Sequence, residues 1–394
     1  MRWNLVLRYS TKFVKPMENC ELFIIAGDPS GDAHGARLVR ELKTLVPGVS
    51  IVGAGGRELE NAGMRNIFNL VDYPVIGVVE VFSHIAVFWN LLKKIRKYFL
   101  ENRPGVVVLI DYPGFNLIVA RMAHKLNIPV VYYIPPQIWA WGRSRARTLA
   151  KLVTKMIVIL PFEKEFYQRM GIEAEFVGHP ILDRMSELQT RKEETDDFGL
   201  DTAYPVVGIL PGSRIQEVSK LLPIMLKTAD IIARQEKVQF VLPLSAHITA
   251  EDVDPYLEDF KFPVRVIRDP AFALRRRMTL ALVASGTATL ENACLGLPMI
   301  IIYRVSWLSY FIARLLVRVK RIGLVNIVAG RGLVPEFIQQ RAKPKDIARI
   351  ALEWLNDGSI IENMRKELLS TSKLLGKQGA SVRAAGLISQ MISH

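Results

Sequence analysis

Residues 280–291 read LALVASGTATLE. Five apolar residues, Leu280 to Ala284, have the length and flanks of a strand buried on both faces. Ser285, Gly286 and Thr287 break the run, and Ala288 to Glu291 read as the first turn of a helix. A strand that feeds a small-residue turn and a helix N-terminus leaves backbone N–H groups pointing outward, where the helix dipole adds partial positive charge. Such a turn suits a phosphate, but it is also the ordinary connection of any α/β domain. The rest of the chain has to decide between the two.

The same pattern recurs on either side. Val206–Leu210 is a strand candidate followed by Pro211-Gly212-Ser213-Arg214 and a helix from about Glu217. Val238–Leu242, Val264–Ile267 and Met299–Tyr303 extend the series. An earlier set comprises Leu22–Ala26, Val49–Val52, Val106–Ile110, Pro129–Ile134 and Met156–Leu160. The first of these runs into the turn Gly27-Asp28-Pro29-Ser30-Gly31-Asp32, then a helix from about Ala33 to Leu45. The polar stretch Glu187–Thr202 reads as a linker, and Val325–Arg331 as a loop. Two successive strand–turn–helix halves predict an α/β protein of two doubly wound, Rossmann-like domains facing each other across a cleft, the default ligand site.

Composition narrows the function. The 394 residues carry a formal net charge of +14, which fits nucleic acid, an anionic membrane surface or a phosphorylated substrate. Two distant cysteines, Cys20 and Cys294, argue for a reducing compartment and against a disulfide scaffold or a zinc site. No apolar segment reaches spanning length. Residues 1–16 are expected to lie outside the fold, because Met17 stands just before the first strand. Gly53-Ala54-Gly55-Gly56 matches a dinucleotide fingerprint poorly: the last glycine of G-x-G-x-x-G would fall on Glu58, in the second βα unit. NAD is set aside on that ground.

Three stretches combine apolar or aromatic residues with basic ones. Val75–Phe99 runs into Lys93, Lys94, Arg96 and Lys97. Trp139 and Trp141 precede Arg143, Arg145 and Arg147, and Trp307–Arg321 has Arg314, Arg318 and Arg321 opposite an apolar face. The first and third read either as core-packed helices or as surfaces for a bilayer; the Trp–Arg stretch suits either RNA or phosphate and headgroup contacts beside a membrane. Asp111 ends the strand Val106–Ile110, where parallel sheets place ligands, and it reads either as a catalytic carboxylate or as a helix cap.

Taken together, GDPSGDAHG near residue 27, VIGVVEV at 75, IDYPGFN at 110, PPQIWAWGRSR at 135, LPFEKEFY at 160, FVGHP at 176, LPGSR at 210, ASGTATLE at 284 and LVNIVAGR at 324 resemble the lipid-A-disaccharide synthase family, in that family's order. The resemblance implies a GT-B glycosyltransferase. It implies transfer of 2,3-diacylglucosamine from its UDP donor to 2,3-diacylglucosamine 1-phosphate (lipid X), with inversion to a β(1→6) link, without metal or other cofactor. It places an acceptor-side domain at 17–200 and a UDP-sugar domain at 203–354, with helices of about 355–394 returning to the first domain, and it implies that subunits can pair through those helices.

Carried over by residue, Arg214, Ser285, Gly286 and Thr287 would take the diphosphate, Glu291 the ribose hydroxyls, and Ser213 and Asn326 would lie at the UDP site. Asp111 is the expected general base, His34 the alternative. Asp28 is carried over as a further catalytic carboxylate; it stands where the family usually has Glu, one methylene shorter, and Pro29 stiffens the turn. Long acyl chains and basic clusters together imply peripheral attachment to anionic lipid on the cytoplasmic face of the inner membrane. The rivals are a UDP-sugar 2-epimerase of the same architecture and a non-enzymatic RNA- or membrane-binding module. The transferase reading expects no nucleic acid partner.

Overall fold

The computed structural model describes residues 21–73, 85–141, 143–190, 198–245, 248–268, 272–305 and 321–392. The expectations for residues 1–16, for 75–84 and for most of the basic stretch at 307–321 fall outside these, as do those for the side chains of Trp141, Arg143 and Arg145. Contacts divide the chain into two compact units, one of residues 1–136, 148–157 and 381–394, the other of 137–147 and 158–380.

Thirteen described strands form two sheets. The first sheet comprises β1 (Glu21–Ala26), β2 (Ser50–Gly55), β3 (Arg65–Asn69), β4 (Val106–Ile110), β5 (Val130–Tyr133), β6 (Lys155–Val158) and β7 (Ala174–Phe176), in the order β3-β2-β1-β4-β5-β6-β7. The second comprises β8 (Val206–Leu210), β9 (Gln239–Leu244), β10 (Val264–Arg268), β11 (Leu280–Ala284), β12 (Met299–Tyr303) and β13 (Glu336–Ile338), in the order β10-β9-β8-β11-β12-β13. Pairings at the centre of both sheets are parallel. Every residue of β4, β8 and β11 is buried, which is why these strands are continuous apolar runs. The predicted strands are all present, within a few residues of the expected ends.

Strand order reverses between β1 and β4 in one sheet and between β8 and β11 in the other. In doubly wound sheets the carboxyl ends beside that reversal are where ligands bind. Ala26 lies opposite Ile110 and Leu210 opposite Val283, so Gly27 and Asp111 leave one such point and Pro211 and Ser285 the other.

Several local expectations are corrected. The first helix runs Pro29–Leu45, not from Ala33: Asp28 is its N-cap, accepting from the Gly31 amide at 3.2 Å, and Pro29 takes the first helical position. Gly53 belongs to β2, paired with Ile24 of β1 so closely that a Cβ there would lie 1.9 Å from the Ile24 carbonyl oxygen. The supposed loop from Val325 contains a short helix, Leu324–Val328, and the supposed linker opens inside a helix, Ile181–Thr190. The helix after β8 starts at Ile215.

Candidate functional site

In the second unit the turn after β11 is open. Among the described residues no protein acceptor is recorded for the amides of Gly286, Thr287 and Ala288, and a Cβ at Gly286 would meet nothing within 4 Å. These amides point from the N-terminus of the helix Ala288–Leu295. Ser285 Oγ donates to the Ile322 carbonyl at 3.0 Å, and Thr289 Oγ1 to that of Gly286 at 2.8 Å, so side chains brace the turn and leave its outer amides clear.

Beside it, the turn after β8 already holds an anion of its own. Gly212 has φ +118, and Glu217 folds back to accept from the Ser213 amide at 3.0 Å. Arg214, at the N-cap of the helix Ile215–Ala233, is exposed and reaches Glu217 at 3.8 Å. Tyr303, at the end of β12, has its phenol pushed up by burial and by the Glu217 charge, opposed by Arg214.

Glu291 is 7% exposed and does not stand alone. Its Oε1 accepts from Arg184 Nη1 at 3.1 Å and its Oε2 from Arg275 Nη1 at 2.6 Å. Neither arginine was singled out from the sequence. Burial, with the Glu291 charge, pushes the neighbouring Cys294 thiol up to about 12.

Asn326 is fully committed to the fold. Its Nδ2 donates to the Val334 carbonyl at 2.8 Å and to Glu336 Oε1 at 2.7 Å, and its Oδ1 accepts from the amides of Leu333 and Val334. All four of its hydrogen-bonding directions are used within the chain. It shapes the loop after the helix Leu324–Val328 and has no donor to offer a nucleotide in this arrangement.

In the first unit, Asp111 follows β4 in a left-handed conformation, φ +43, and Tyr112 repeats it at +48. Two consecutive non-glycine residues in that region are costly and persist only when held. The Asp111 carbonyl accepts from Tyr132 Oη at 2.6 Å and from Asn116 Nδ2 at 2.7 Å, and its amide donates to the Ile134 carbonyl at 3.2 Å. Burial, reinforced by the Asp111 charge, pushes the Tyr132 phenol well above its ordinary value, which keeps it a donor. Gly27 is required here: a Cβ would fall 2.4 Å from the Tyr112 ring. Tyr112 is itself raised to about 12 by burial and the nearby Asp28 charge.

Asp28 is accounted for as the cap of the helix Pro29–Leu45, and His34 lies half-buried on that helix. A residue not anticipated is Asp32. Its carboxylate, 4% exposed, accepts from the amides of Gly56 at 2.7 Å, Glu58 at 2.9 Å and Leu59 at 3.3 Å. The glycine-rich turn after β2 thus binds an internal anion, and a Cβ at Gly56 would lie 2.4 Å from Asp32 Oδ2. Among the described residues no three His, Cys, Asp or Glu side chains converge as metal ligands.

Two parallel doubly wound units, each with its strand order reversing at the centre of the sheet, have the architecture of the GT-B fold. Solved structures agree on the fold. UDP-GlcNAc 2-epimerase from Neisseria meningitidis bound to UDP-GlcNAc superposes with TM-score 0.61 at 14% identity, covering 94% of this chain and 99% of that one. Acinetobacter baumannii MurG gives 0.58 at 14%, covering 94% and 100%.

Sequence comparison is more specific. The lipid-A-disaccharide synthetase family profile matches residues 22–391. The lipid-A-disaccharide synthase of Geobacter sulfurreducens is 41% identical over 372 residues, 94% of this chain and 97% of the relative. That of Syntrophus aciditrophicus is 43% identical over 366 residues, 92% and 96%. The chain belongs to the lipid-A-disaccharide synthase family, and it is a glycosyltransferase.

Proposed function

We propose that this chain joins 2,3-diacylglucosamine, delivered as its UDP derivative, to 2,3-diacylglucosamine 1-phosphate. The observation that carries this reading is the 94% coverage of the chain by a relative named for that activity. The chemistry has two demands, a base for the attacking hydroxyl and stabilisation of the departing diphosphate. Asp111 takes the proton from the acceptor hydroxyl as its oxygen bonds to the anomeric carbon. The bond from that carbon to the diphosphate oxygen breaks, and UDP leaves with the electron pair. Inversion follows from this single displacement.

The amides of Gly286, Thr287 and Ala288 and the guanidinium of Arg214 receive the charge that develops on the diphosphate. Glu217 then has to yield the Ser213 amide. Ser285 braces the turn, and Glu291 accepts from the ribose hydroxyls. Asn326 serves by fixing the loop Gly330–Val334. His34 stays the second candidate for the base.

The helix Ile85–Asn102 supports attachment to anionic lipid at the cytoplasmic face of the inner membrane. Trp89 is 61% exposed, with Lys93 Nζ 5.9 Å from its ring centroid, and Lys94, Arg96 and Lys97 are exposed on the same helix. No helix among the described residues is long and apolar enough to cross a membrane.

Purified protein incubated with UDP-2,3-diacylglucosamine and lipid X should release UDP and form a disaccharide 1-phosphate. Absence of disaccharide, with turnover of UDP-N-acetylglucosamine alone, would overturn the reading in favour of an epimerase.

A further inference from the structure

Phe272 is 2% exposed, and two guanidinium groups lie over its ring, that of Arg184 at 4.8 Å from the centroid and that of Arg275 at 4.7 Å. The same two arginines bind the two oxygens of Glu291, one each. The four side chains come from three separate places: Arg184 from the helix Ile181–Thr190, Phe272 and Arg275 from the cap and body of the short helix Ala273–Arg276, and Glu291 from the first turns of the helix Ala288–Leu295. Glu291 lies one helical turn beyond Thr287, on the same face of that helix as the open turn.

A carboxylate gripped at one oxygen can still rotate; gripped at both, it cannot. Each carboxylate oxygen has about two lone-pair directions, and the arginines take one on each. Two remain, one per oxygen, held in a fixed plane. A vicinal diol offers two hydroxyl donors to match such a pair. Without the two guanidinium groups the carboxylate is free to turn, and it would lose that matched pair of acceptors.

We infer that Arg275 and Arg184, stacked on Phe272, are positioning residues that make Glu291 a reader of the ribose 2′- and 3′-hydroxyls, and so restrict the donor to ribonucleotides. This rests on the ribose role proposed above for Glu291. Arg275 is the stronger of the two: its side chain is 14% exposed and its bond is shorter, while the Arg184 side chain is 47% exposed.

The test is a set of affinities of the full chain for UDP, 2′-deoxy-UDP and 3′-deoxy-UDP by calorimetry. Wild type should prefer UDP by roughly tenfold or more, the loss expected when a charged acceptor misses its donor. Arg275→Met should bring the ratio to within about threefold, Arg275→Lys should restore part of it, and Arg184→Met should lower it less. A general structural defect would weaken all three ligands together and leave the ratio unchanged.

Retention of the full ratio in Arg275→Met overturns the positioning role while leaving the ribose reading intact. A wild type that binds UDP and both deoxy forms alike overturns the ribose reading itself. If Arg275→Met does not fold, Arg275→Lys and the exposed Arg184→Met carry the comparison, and an unchanged ratio in both overturns the inference.

Discussion

The Tyr132 hydroxyl donates a 2.6 Å hydrogen bond to the main-chain carbonyl of Asp111. It is a buried phenol on β5 steering the backbone at the end of β4, and with Asn116 it holds two successive left-handed residues in place. The carboxylate proposed as base is therefore aimed through its own peptide group. Tyr132→Phe keeps the ring and removes only this bond. It should lower kcat roughly tenfold with donor KM unchanged and cost about 1–2 kcal/mol in urea unfolding. Asp111→Asn should lower kcat by about 10²–10⁴ while UDP affinity stays at the wild-type value, because the proposed nucleotide contacts all belong to the second unit. Loss of UDP binding in Asp111→Asn would move Asp111 out of the base role.

Asp32 presents a different case, a carboxylate that occupies an anion-ready turn as part of the fold. Removing it in Asp32→Ala leaves the amides of Gly56, Glu58 and Leu59 without their acceptor in a buried place. Destabilisation of about 3 kcal/mol is expected by denaturant titration, with UDP affinity of the folded fraction unaltered. A stable Asp32→Ala protein with weakened substrate binding would instead mark the turn after β2 as a ligand site.

How far sequence reached can be read from these residues. β4, β8 and β11 were legible because a strand covered on both faces must be a continuous apolar run. β3, β7 and β13 were not: they are short, half-buried and contain Arg65, Asn66, Glu175 and Glu336, with no periodicity to mark them. The helix Leu324–Val328 has no capping side chain of its own to mark its start in sequence; the amides just ahead of it, those of Ile322 and Gly323, are held by Glu336, 14 and 13 residues away. The turns after β8 and β11 were readable from small residues between an apolar run and a helix. The partners of Glu291 were not, since Arg184 lies 107 residues before it and meets it only through the fold.

Glu163 gives a prediction in pH. It lies buried at the start of the helix Pro161–Gln168, where its oxygens accept from the Trp139 indole at 3.0 Å and the Leu160 amide at 3.0 Å. Burial outweighs these bonds and raises its pKa from 4.5 to about 7. The folded chain thus binds more protons than the unfolded chain between those values. Its contribution is complete below about pH 4.5 and is lost as pH rises through about 7, a change of about 3 kcal/mol. Urea midpoints should fall from about pH 5 to about pH 7.5, and Glu163→Gln, which cannot titrate, should flatten that fall. An identical slope in the variant would show that Glu163 is ionised throughout this range.

Asn326 yields the sharpest substitution, because its partners on the two sides of the amide have opposite needs. Oδ1 accepts from the Leu333 and Val334 amides, and Nδ2 donates to the Val334 carbonyl and Glu336. Asn326→Asp preserves shape and the two accepted bonds but turns the donor into a second anion, 2.7 Å from the Glu336 oxygen in a buried place. Asn326→Ala loses every bond yet introduces no charge. Ordinary side-chain size would rank alanine as the worse change; electrostatics ranks aspartate as worse. We expect about 2–3 kcal/mol of destabilisation for Asn326→Ala and at least about 1 kcal/mol more for Asn326→Asp. Adding Glu336→Gln to Asn326→Asp should recover part of the difference, since a glutamine amide can donate where the carboxylate repelled. The recovery is incomplete, because Glu336 also accepts from the amides of Ile322 and Gly323. Equal unfolding midpoints for the two single variants would mean that Glu336 is not the charged partner of Asn326.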